Sequence, residues 1–129
     1  MKYSVGIDVS KDSIHACISE IDSTQRVKIK SSHQFTNSTK EFSLMEQWLI
    51  KHKKQKLPLV ICMEATGIYY EKLAFYLHQR NYAVIVLLPS KAKKYLQSLG
   101  LKSKNDKIDA SGLSRMAAEQ NLGLWKPLG

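Results

Sequence analysis

The chain is poor in several things, and each shortage removes a class of answers. It has two cysteines, Cys17 and Cys62, far apart and in no Cys-x-x-Cys pair. Neither a disulfide scaffold nor a thiolate metal site is expected, and both read as buried thiols in a reducing compartment. Four histidines, His15, His33, His52 and His78, are scattered without zinc-ligand spacing. No apolar run approaches the ~20 residues of a membrane span, so no membrane partner is expected. In "MKYSVGIDVSKDS" an aspartate arrives before any long apolar stretch, which argues against a secretory leader. Six glycines and three prolines form no low-complexity tract.

Acids are also scarce. Eleven face 20 lysines and arginines, a formal net charge of +9 over 129 residues. That length suits about one domain. The imbalance favours a polyanionic partner, nucleic acid ahead of an anionic membrane surface. The plainer reading is that the lysines solvate the surface.

What is present alternates in two periods. "KYSVGIDVS", "SIHACISEID" and "RVKIKSSHQF" alternate apolar and polar residues, so three strands in an antiparallel meander are predicted. "NSTKEFSLMEQWLIKHKK" switches to helical period, with a Ser38/Glu41 capping box and a stripe of Phe42, Met45, Trp48 and Leu49. "KLPLVICME" reads as a central strand covered on both faces. "TGIYYEKLAFYLHQRN" predicts a second helix, with Tyr69, Leu73, Tyr76 and Leu77 inward and Asn81 at its C-terminal end. "YAVIVLLP" is another buried strand, and "SKAKKYLQSLG" a short helix or helical loop. A last helix runs from about Asp106 to Asn121, with Asp109, Leu113, Met116, Ala117 and Gln120 on one face. The order β-β-β-α-β-α-β-(α)-α predicts a mixed α/β sheet with helices on both faces.

Four acids stand out by placement. Asp8 lies near the end of the first strand, on the face of Gly6, where a glycine lets a ligand approach the backbone. Glu64 ends the buried strand, at the edge where open α/β sheets place ligands. Asp106 and Asp109 lie ~60° apart around the last helix and continue its sheet-facing stripe. Each has a plainer reading: a turn cap for Asp8, helix-start acids for Glu64 and Asp106. Asp109 is the hardest to explain so. Together the four would repel unless a cation neutralised them, and hard oxygen ligands suit Mg²⁺ or Mn²⁺. A pair of such ions serves in-line phosphoryl transfer.

The remaining candidates concern phosphate. Lys91, Lys93, Lys94, Lys102, Lys104 and Lys107, with Tyr95 as a stacking aromatic, form a nucleic-acid strip, or else a solvated helix face. Lys11 follows Asp8 closely and joins them as a phosphate-contact candidate. Thr66 and Gly67 open the second helix and either offer donors to a phosphate or cap the helix.

In this order, "GIDVSKDS", "MEATG" and "KNDKIDA" resemble the N-terminal DEDD domain of a family of bacterial insertion-sequence transposases that includes Piv-type DNA invertases. That domain is similar to the RuvC Holliday-junction resolvase, within the ribonuclease H-like fold. The resemblance implies that Asp8, Glu64, Asp106 and Asp109 are an acidic tetrad binding Mg²⁺. It implies a DNA recombinase guided by a structured bridge RNA, forming a homo-oligomer at full length, in the bacterial cytoplasm with the nucleoid. Family members carry a further C-terminal domain with a serine nucleophile. Residues 1–121 are therefore expected to form the catalytic domain. Residues 122–129 would be a linker toward a domain absent from this chain. Two alternatives are a junction nuclease acting alone and an actin-like or sugar-kinase ATPase half-domain.

Overall fold

In a computed structural model, the structure describes residues 2–24, 26–53, 57–65, 67–88, 94, 95, 97, 110–119 and 123–125. Strands β1 (Lys2–Val9), β2 (Ser13–Ile21) and β3 (Val27–Thr36) form the expected antiparallel meander. Helix α1 (Thr39–His52) returns the chain to β4 (Leu59–Glu64), which pairs parallel with β1. Helix α2 (Glu71–Gln79) leads to β5 (Ala83–Leu87), parallel to β4. The sheet order is β3-β2-β1-β4-β5, so β1 is the central strand. Its alternation places Tyr3, Val5, Ile7 and Val9 in one core.

That core faces α1 and α2. Phe42, Met45 and Leu49 of α1 and Leu73, Ala74 and Leu77 of α2 are buried against Ile14, Ala16, Ile18, Ile61 and Met63. Ser38 caps α1 through the Glu41 amide, as its sequence predicts. The reciprocal bond of a capping box is absent: Glu41 Oε1 accepts from the Thr36 amide at 2.9 Å instead. Asn81 has φ 67°, the left-handed conformation that ends a helix. Two expectations for α2 need correction. The helix starts at Glu71, after a turn over residues 67–70, so Gly67 does not open it. Tyr69 precedes the helix and is 43% exposed, and Ala74 takes the inward place.

The opposite face carries a second core under helix α3 (Ala110–Glu119), where Leu113, Met116 and Ala117 meet Cys62, Ile85 and Leu87. Helices therefore cover both faces, as expected. Toward β1 and β2 this contact turns polar. Ser4 Oγ donates to the Ser114 carbonyl at 2.6 Å, and Ser114 Oγ lies 2.9 Å from the Ser4 carbonyl and 2.7 Å from Ser19 Oγ. All three serines are fully buried. Lys2 Nζ donates to the Ala117 carbonyl at 3.0 Å. Gly6 is the seat of this contact. A Cβ there would overlap the Ala110 carbonyl oxygen and the Ser114 amide nitrogen, and would lie 2.9 Å from the Leu113 carbonyl carbon. The glycine next to Asp8 thus admits a helix, not a ligand, which corrects the sequence expectation.

Trp125, within the segment expected to be a linker, folds back onto the domain. Its amide donates to the Val84 carbonyl at 2.7 Å and its ring meets His78 edge-on.

Candidate active site

Asp8 and Glu64 come together because β1 and β4 are parallel neighbours. Their register pairs Gly6 with Cys62 and Ile7 with Met63. One step further sets Asp8 beside Glu64. Strands in a sheet lie about 4.8 Å apart, so the two carboxylates start from adjacent backbones. They also share a face. Ile7, Val9, Ile61 and Met63 belong to the core under α1 and α2, and Cys62 to the core under α3. Asp8 and Glu64, one residue out of phase with the first set, point to the α3 side.

Their settings differ. Asp8 is half-buried, whereas Glu64 is 6% exposed, with its Oε2 shielded from solvent. The local field is negative: burial first, and then the Glu64 charge, push the Cys62 thiol up to about 12. Cys62 is therefore a packing residue.

Helix α3 runs antiparallel to β1. Ala117 meets Lys2, Ser114 meets Ser4, and Ala110 meets Gly6. Its leading end thus lies one pleat from Asp8. Asp109 directly precedes Ala110 in the chain and Asp106 lies four residues before it; both lie outside the described residues, as do Thr66, Lys91, Lys93, Lys102, Lys104 and Lys107. Among the described residues, no three carboxylate, imidazole or thiol groups converge. Of the phosphate candidates described, Lys11 and Lys94 are exposed. Tyr95 is not available for stacking on a base. It is 5% exposed and packs in the core beneath α3, which corrects its expected role.

The comparisons with known proteins bear on this geometry. The model of the IS110-type DEDD family, described as "Transposase", matches residues 5–127. The chain belongs to this transposase family. The "Pilin gene-inverting protein" of Moraxella bovis is 33% identical over 126 residues, which cover 98% of this chain and 37% of that protein. The transposase chain thus spans little more than a third of that relative's length. In fold it is similar to Thermus thermophilus RuvC, with TM-score 0.62, 10% identity, and 90% of this chain and 93% of that one covered. It is also similar to the fowlpox virus Holliday junction resolvase, with TM-score 0.56, 12% identity and coverages of 91% and 98%. The ribonuclease H-like, RuvC-like architecture is therefore the fold of this transposase domain. No helix of the described residues is long and apolar enough to cross a membrane.

Sequence reasoning missed one neighbour of the acids. His15 is the register partner of Asp8 on β2. The signal was available, because the β1–β2 alternation already pairs the two positions across a three-residue turn.

Proposed function

We propose that this chain is the catalytic domain of a DNA recombinase that moves or inverts DNA by metal-dependent phosphoryl transfer. The observation that carries the reading is the meeting of Asp8 and Glu64 at one sheet edge, with the leading end of α3 beside them. In this reading Asp8, Glu64, Asp106 and Asp109 hold Mg²⁺ or Mn²⁺. The donor set fits: hard carboxylate oxygens on adjacent rigid strands suit a divalent cation of this kind. Such ions, when bound, polarise a phosphodiester and activate the attacking oxygen.

The protein's own groups do the rest. Glu64, buried at the strand end, supplies one carboxylate oxygen donor. Asp8, half-buried, supplies a second on the solvent side. Lys11, Lys91, Lys93, Lys94, Lys102, Lys104 and Lys107 offer cations to the phosphate backbone, and Thr66 a hydroxyl. A structured guide RNA and a second copy of the full-length protein are further partners in this reading. Residues 1–121 form the catalytic unit, onto which Trp125 packs, and the segment 122–129 leads on toward a second domain. The site of action is the bacterial cytoplasm, at the nucleoid. Family membership favours this chemistry over the ATPase alternative. The test is Mg²⁺-dependent nicking of duplex or four-way-junction DNA by the full-length protein. Asp8→Asn and Glu64→Gln should each abolish it, and retained nicking in both would overturn the reading.

A further inference from the structure

The sheet row that holds Asp8 continues away from Glu64. Asp8 pairs with His15 on β2, and His15 with Gln34 on β3. Ile14 and Ala16 face the α1/α2 core, so His15 points to the α3 side, with Asp8 and Glu64. Cross-strand neighbours on one face have Cβ atoms about 4.5–5.5 Å apart, close enough to touch a common ligand.

His15 differs from the other histidines. His33 packs edge-on to Phe35, His52 to Trp48 and His78 to Trp125. His15 has no ring partner, hydrogen bond or ion pair among the described residues, and it is exposed. Gln34 beside it is also exposed and unengaged among the described residues. Farther along β2, Cys17 and Ser19 are buried on the same side. So β2 opens to solvent at His15, at the level of the acids.

We infer that His15, supported by Gln34, is a nucleic-acid-binding residue, whose imidazole N–H donates to a backbone phosphate next to the one held at the acids. The inference deepens the function proposed above and rests on it. An imidazole suits this place, because its ring N–H donates to a phosphate oxygen from a short, rigid side chain. A polar row leading off the acids also gives the bound strand a direction, across β2 toward the β3 edge.

The test uses the full chain and fluorescein-labelled DNA, a duplex and a four-way junction, by fluorescence anisotropy with Ca²⁺ in place of Mg²⁺. His15→Ala should weaken binding about tenfold or more, the span of one hydrogen bond to a charged group. The thermal midpoint and Mn²⁺ affinity should not change. His15→Gln, which keeps an N–H donor, should restore most of the affinity. Wild-type affinity in His15→Ala would overturn the inference. So would a fall in thermal midpoint that His15→Gln does not repair, because it would mark a structural role. Asp8→Asn serves as the separate arm. Unaltered Mn²⁺ binding in that variant would sink the acid-site reading, whatever His15 does. Failure of the wild-type chain to bind either DNA would overturn both.

Discussion

Gly6→Ala should loosen helix α3 from the sheet. The added methyl would overlap two backbone atoms, the Ala110 carbonyl oxygen and the Ser114 amide nitrogen, and neither belongs to a flexible side chain that could swing aside. The helix must therefore move as a body. Overpacking of this kind costs about 1–3 kcal/mol. Movement also stretches the buried hydroxyl contacts of Ser4, Ser19 and Ser114, each worth about 1 kcal/mol while satisfied and more once orphaned. The expected loss is about 2–5 kcal/mol, against a total near 5–15 kcal/mol for a domain. In a chain of this length that lowers the thermal midpoint by about 10–20 °C. The assay is urea and thermal denaturation of Gly6→Ala beside Gly123→Ala, whose Cβ would meet nothing within 4 Å. A Gly6→Ala stability within about 0.5 kcal/mol of the control would refute the close seating of α3 on β1.

Two further expectations concern titration and reactivity. Glu46 accepts from Arg80 Nε at 2.7 Å, Tyr82 Oη at 2.9 Å and Tyr76 Oη at 3.3 Å. Burial alone would raise its carboxyl, but the Arg80 guanidinium and the tyrosine hydroxyls outweigh burial and hold it below its ordinary value. A depressed carboxyl stabilises the fold above the ordinary carboxylate range and loses that contribution as pH falls through the folded value. Glu46→Gln should therefore flatten the acid limb of a urea-stability profile, by no more than about 1 kcal/mol because Arg80 is half exposed. An unchanged limb would refute the linkage. Cys62, with its thiol pushed up to about 12 by burial and then by Glu64, should resist thiol reagents in the native chain and react once urea unfolds it. Fast native labelling at Cys62 would contradict the burial of this end of β4.

The alternating and helical periods made most of the fold legible. β1 reads cleanly because each inward position is Tyr, Val or Ile, and the continuous apolar run of β4 announced a strand with cores on both faces. Asp8 and Glu64 were legible as candidates because acids are rare here and both fall near strand ends. Their adjacency follows from parallel pairing of β1 with β4, a tertiary fact that no local spacing carries. Gly6 was legible as a place of close approach, but a sequence cannot say what approaches. The same limit explains Tyr95. An aromatic between lysines looks like a stacking platform until the second core claims it. The serine contact of α3 was silent because Ser4, Ser19 and Ser114 are ordinary polar residues until a helix crosses β1. His15 was overlooked because a histidine without zinc spacing carries no local signal, and only its register with Asp8 distinguishes it.

The central claim is that Asp8 and Glu64 form half of one divalent-metal site completed by Asp106 and Asp109. Calorimetric titration of Mn²⁺ into the chain tests it most directly, run on the wild type, Asp8→Asn, Glu64→Gln and Asp109→Asn, each checked for an unchanged thermal midpoint. The account predicts saturable binding in the wild type and loss of at least tenfold in affinity in every folded variant, the scale set by removing a coordinating carboxylate. Wild-type affinity in Asp8→Asn and Asp109→Asn, with the fold intact, would contradict it.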